Sequence, residues 1–239
     1  MEPKHPAAPQ AASTGAAGSH HGGAPVDRQA LLTVLTTEHF TLQGARASTV
    51  SESSARAALF IGAVTSTLVA LGFIAQASEL GSAFDTFVLV VLPTLYMLGL
   101  FTFVRLVTSS TEDLLYGRAI NRIRNYYQEV AGGEARYLLL GGHDDTLGVL
   151  ANMGIARPSR WQLYFTLASM VAVLTAVVGG SAVAFLAGVV GATLGLAAGI
   201  GAVTSVVSCA LQFRWQLRAH VVARRRGEVL FPSPTSPQP

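Results

Sequence analysis

An all-α protein is what this sequence predicts: four transmembrane helices arranged as two hairpins, with helical extensions on the cytoplasmic side. Three observations predict it. Residues 161–213, bracketed by Arg160 and Arg214, run fifty-three residues without Asp, Glu, Lys, Arg or His. One helix of that length would reach roughly 80 Å, well past a ~30 Å hydrocarbon slab, so the stretch must cross twice. Two shorter uncharged runs, 57–78 and 86–104, each suit a single crossing. Composition agrees, since 51% of the 239 residues are hydrophobic and only 12% charged, about half the usual charged share of a globular domain.

The basic residues set an orientation. Of sixteen Lys and Arg, four precede the first span, seven lie between the second and third, and five follow the fourth. The other two connections carry none, and the first of them holds only Glu79 and Asp85. The positive-inside rule therefore places both termini and the central block in the cytoplasm of a bacterial plasma membrane. A pI near 9.4 would by itself suggest nucleic acid, but topology accounts for these charges and no nucleic-acid partner is expected. Cys209 is the single cysteine, so no intrachain disulfide can form.

In chain order, residues 1–26 are rich in Ala, Pro, Gly, Ser and His without apolar periodicity, and are read as a disordered tail. No signal peptide is read there, because the first apolar run begins only at Ala57. A cytoplasmic helix is expected over 27–56, capped by Asp27 and able to continue into the first hairpin, 57–104. Pro93 should kink the second span, with Thr94 available to satisfy a freed carbonyl. Residues 105–160 form the sizeable polar block. Ser110 and Asp113 resemble a capping box, a helix follows to Gly132-Gly133, and a short helix is expected over 146–153. Trp161 and Tyr164 suit an aromatic belt at the start of the second hairpin, 161–213, whose turn should fall between Gly179-Gly180 and Gly188. Residues 214–239 read as a basic, disordered tail.

Candidate sites are few. Ala187, Gly191, Gly195 and Gly199, four residues apart, would form a smooth stripe on the fourth span for helix packing, within one copy or between copies in a homo-oligomer. Arg118 and Arg122 share a face of the central helix and could dock a cytoplasmic protein. Arg224, Arg225 and Arg226 could hold anionic lipid head groups besides anchoring the topology. His143, Asp144 and Asp145 are the densest group of metal-ligand types, but they are read as a solvated loop, because ligands normally converge from separate elements. His5, His20 and His21 are read as tail composition, and Glu38-His39 as a pH-responsive pair or a plain solvated face. No metal or cofactor is expected. The spans hold no Asp, Glu, Lys, Arg or His, which argues against an ion-coupled pump. No G-x-x-x-x-G-K-[ST] run is present, which argues against ATP-driven work by this chain.

The segments 35–43 (LTTEHFTLQ) and 117–127 (GRAINRIRNYY) resemble those of uncharacterised four-span integral membrane proteins of actinobacteria. The resemblance covers about residues 30–215 and implies a fold and a location, with no functional residues. A fainter likeness, in layout alone, is to bacterial effectors that open membranes. The expected function is a non-enzymatic scaffold or sensor subunit presenting its cytoplasmic helical layer to a partner. The alternatives are an oligomeric pore or channel, and a membrane-surface enzyme using His143, Asp144 and Asp145.

Overall fold

The structure, a computed structural model, describes residues 27–155 and 166–234. The expected tail 1–26 and the belt residues Trp161 and Tyr164 lie outside those residues. Among the described residues there are five α-helices, one 3-10 turn and no strand. Four of the helices are long and apolar enough to cross a membrane.

Helix α1 runs unbroken over Arg28–Ala77, opened by Asp27, whose carboxylate accepts from the Gln29 amide at 3.0 Å. Its small polar middle does not break it. Thr49 and Ser53 donate back to the carbonyls four residues earlier, at 3.0 and 2.9 Å, which occupies hydroxyls that would otherwise compete for the backbone. Helix α2, Ser82–Ala131, is equally long and continues through Pro93 without a break. The Thr94 hydroxyl bonds Val90 at 2.7 Å, one carbonyl beyond the Leu89 group that proline leaves bare. No helix starts at Ser110: the supposed capping box lies inside α2, and Asp113 bonds Arg46 instead. A turn through Glu79 and Leu80, both left-handed at φ 48° and 60°, joins these two helices. After α2 come a 3-10 turn, Gly132–Tyr137, and a short α3, Thr146–Asn152. Helices α4, Leu167–Val189, and α5, Leu194–Arg225, form the second hairpin.

Helix α2 is the shared spine. Against it α1 lies antiparallel, matching Thr36 to Tyr127, Arg46 to Asp113 and Glu52 to Arg105. Helix α4 is also antiparallel, with Phe185 edge-on to Phe84. Helix α5 runs parallel, setting Ser208 by Tyr96, Trp215 by Phe103 and His220 by Ser110. The core is thin, built on Phe60, Val107, Val171 and Ala172, while Leu68, Phe73, Val203 and Val206 point outward. Such an exterior is costly in water and natural in lipid.

The glycine stripe is not on one helix. The second turn falls at 190–193, later than the expected 180–188, because Val189 still completes α4. Ala187 thus belongs to α4, Gly191 occupies the turn at φ 96°, and only Gly195 and Gly199 lie on α5. Neither of those two meets anything within 4 Å of an added Cβ. Close packing instead rests on Gly180, where a Cβ would run into the Gly201 carbonyl and Ser205 of α5.

Gly180→Val should therefore destabilise the bundle by about 2 kcal/mol through overpacking, while Gly195→Val should stay within about 0.5 kcal/mol. Thermal unfolding of the purified variants in detergent checks both.

Candidate functional site

Three residues on one face of α2, Arg118, Asn121 and Arg122, gather the end of the bundle where basic residues concentrate. Arg118 is 6% exposed. Its Nε donates to the Asp144 carbonyl at 2.8 Å, and its other nitrogens donate to the carbonyls of Arg226, Gly227 and Glu228. Those carbonyls follow the last turn of α5, where partial negative charge collects and hydrogen-bond partners run out. Gly227, at φ 77°, reverses the chain there. Arg122 donates twice to Asp144 Oδ2, at 3.0 and 2.7 Å, and once to the Glu228 carbonyl at 2.6 Å.

Asp144 is fully buried. Its carboxylate accepts the amides of Phe231 at 2.8 Å and Leu230 at 3.2 Å, and its own amide donates to the Phe231 carbonyl. Burial pushes the Asp144 carboxyl up, but the Phe231 amide, Arg122 and the Leu230 amide outweigh it and leave it below its ordinary 3.8. Asp145 caps α3 through the Gly148 amide and accepts from Ser233 Oγ at 2.6 Å. Asn121 donates to the His143 carbonyl, and Asn152 ties Asn121 to both main-chain groups of Gly141.

These contacts correct three expectations. His143, Asp144 and Asp145 form a buried clasp rather than a solvated loop: the Asp144 carboxylate goes to Arg122 and the strap amides, and Asp145 to the Gly148 amide and Ser233. Arg118 is buried on carbonyls, and Arg122, whose side chain is 43% exposed, already gives its donors to Asp144 and the Glu228 carbonyl. Residues 214–225 continue α5 and 226–234 form a strap over the clasp, so the C-terminal region is built rather than loose up to 234. Arg224, Arg225 and Arg226 keep exposed side chains, so a lipid role for them stays open to test. Glu38 and His39 also part company. His39 turns to Gln43 at 2.7 Å and packs its ring on Tyr127, and burial followed by the nearby Arg124 charge lowers its pKa.

A polar seam runs up the inner face of α5, and the sequence reading missed it. Ser208, Gln212, Gln216 and His220 recur every four residues. Ser208 meets Tyr96 and Gln212, Gln216 meets Ser169 and Thr166, and His220 meets Ser110 and its own Gln216 carbonyl. Screening the spans for ionisable side chains passed over the amides, although their spacing was in plain view. The Ser110–His220 pair is a poor nucleophile: Ser110 gives its proton to the Val107 carbonyl at 2.7 Å, closer than His220 at 3.3 Å, and His220 Nδ1 faces a carbonyl rather than a carboxylate.

Beside the seam and the clasp lies a cavity of about 780 Å³ between α1, α2, α3 and the ends of α4 and α5. A second hollow of about 560 Å³ shares Val50, Asp113 and Met153 with it. Ser109, 2% exposed, lines the first, and its Oγ has no partner among the described residues. Arg124 lines the second without a carboxylate partner among the described residues; burial, and then Arg46, lower its pKa. Comparison with protein-family models, curated proteins and solved structures found no match.

Asp144→Ala would leave Arg122 and two amides unsatisfied, at a cost of about 2 kcal/mol. Hydrogen exchange at 228–233 should then rise roughly thirtyfold. Because the folded-state pKa of Asp144 is depressed, its contribution is complete above 3.8 and is lost as pH falls through the lower folded value. Protection of the strap should accordingly stay flat from pH 7 to about 4 and fall below that, a dependence that Asp144→Ala removes.

Proposed function

We propose that this chain is a multi-pass protein of a bacterial plasma membrane with both ends in the cytoplasm, and that it works without catalysis as a scaffold or sensor subunit. The observation that carries this reading is the continuity of α1 and α2. Each is a single fifty-residue helix, of which about 40 Å of α1 extends past its membrane-crossing part. The two are pinned side by side by the Arg46–Asp113 pair and by Glu52, which accepts from Arg105 and Arg56. Hydrogen bonds from Arg105, then Arg56, hold the Glu52 carboxyl below its ordinary range. A tilt within the bundle would thus be carried to the far tip of the stalk.

With Arg118 and Arg122 occupied, the partner surface moves to the stalk and the turn beyond α2. Phe40, midway along the stalk, is 68% exposed and Leu139, past the 3-10 turn, 95%, and apolar side chains of that size beyond the membrane favour a protein partner over water. The likeness to four-span actinobacterial proteins is compatible with this reading. A pore within one copy is disfavoured, since the seam residues bond one another across the α2–α4–α5 interface. A pore between copies would use the open face around Gly195 and Gly199.

Reporter fusions should place residues 80 and 192 outside the cell and residue 137 inside. Phe40→Glu combined with Leu139→Glu should abolish capture of a cytoplasmic partner while leaving membrane insertion and thermal stability intact. Cytosolic reporters at 80 or 192, or ion conduction in planar bilayers that Gly195→Leu removes, would overturn the reading.

A further inference from the structure

The paired hollows at the basic end have the features of one binding site for a molecule with two chemical ends. The larger is walled by Leu106, Leu114, Leu150, Ile155 and Leu167, and its volume lies within the range of ligand pockets, about 300–1,000 Å³. Leu106 stands just past the uncharged run of α2, and Leu167 opens α4, so the hollow sits where the spans leave the membrane. Ser109 offers it a hydroxyl with no partner among the described residues, and a buried polar atom in that state costs free energy unless a ligand or water meets it.

The smaller hollow is the charged end. Arg46 and Arg124 face it together with Asp113, and Arg46 already holds both oxygens of Asp113 at 2.6 and 3.1 Å. One positive charge remains over. Its bearer, Arg124, has a buried Nε with no hydrogen-bond partner among the described residues, poised for a charge-assisted bond to an anion. Val50, Asp113 and Met153 border both hollows at their junction, and Val50 and Met153 are 53% and 48% exposed. Arg224, His220 and Asp145 of the clasp also line the larger hollow.

We propose that the two hollows together bind a single-chain anionic lipid taken from the adjoining leaflet, its chain in the larger hollow and its head group on Arg124. Val229 of the strap also lines the larger hollow, so occupancy bears on the clasp, and the site would supply the signal of the sensor reading above, on which this inference rests.

The test uses the full chain in phosphatidylcholine vesicles with a diazirine-bearing hexadecyl phosphate, and the matching trimethylammonium probe as the control for charge. Photo-adducts of the phosphate should concentrate at residues 49–54 and 147–155. Val50→Trp, which blocks the junction, should cut them about tenfold, with Met153→Trp as the second variant should the first fail to fold. Arg124→Gln should weaken labelling by the phosphate about tenfold, the worth of one charge-assisted bond, and leave the ammonium probe unaffected. Adducts spread evenly along the outer faces of α1 and α5, equal labelling by both probes, or unchanged labelling of a folded Val50→Trp protein would overturn the proposal. Partner capture that persists without site labelling removes this inference alone, and labelling without capture removes the scaffold reading alone.

Discussion

An arginine kept out of water without a carboxylate of its own is the constraint on which the basic end depends. Arg118 is balanced by carbonyls of the clasp and of the chain just past α5. A buried guanidinium tolerates no missing acceptor, since each unsatisfied donor there would cost kilocalories. The strap therefore has to return to α2, the 143–145 loop has to present its main chain, and α5 has to end at Arg225. Asp144 adds the carboxylate that Arg122 needs and meets two strap amides with the same two oxygens.

Helix α2 joins this polar end to the lipid-facing body. One of its faces receives α1 through Glu52–Arg105 and Arg46–Asp113, and another receives the α4–α5 hairpin through Tyr96, Gly99 and Phe103. Within the slab the apolar effect cannot choose between helix faces, because lipid is as apolar as leucine. Small residues and side-chain hydrogen bonds decide instead. Gly180 against Gly201 sets how closely α4 approaches α5, and Gln212 and Gln216 of the seam, bonding Ala172 and Ser169, set their rotation.

The hollows follow from this arrangement. Beyond the spans, α1 leans chiefly on α2, and α3 and the strap lie along α2 as well. Between them the short side chains of Thr49, Ser53 and Ser109 leave space that Leu114 and Leu150 border but do not fill. Val50 and Met153 stand half open at the junction, where a mobile occupant could pass without unfolding either wall.

Much of the fold was legible in the chain. Four spans, the cap at Asp27, the stop at Gly132 and the short helix after Asp145 all follow from local composition, because in lipid the backbone must satisfy itself within the helix. The roles of the charged side chains were not legible. Arg118 and Arg122 look solvent-facing by helical spacing, and only the 143–145 loop and the returning strap, the latter more than a hundred residues later, bury one and occupy the other. The glycine spacing misled for a related reason: a four-residue repeat gives a stripe only if one helix carries all of it, and the turn at Gly191 was decided by how α4 and α5 meet. By itself the sequence determined class, span number and the distribution of charge, all properties of windows about twenty residues long. Tertiary structure alone decided which polar groups were spent on one another and which, like Ser109 and Arg124, were left over, since that depends on partners distant in the chain.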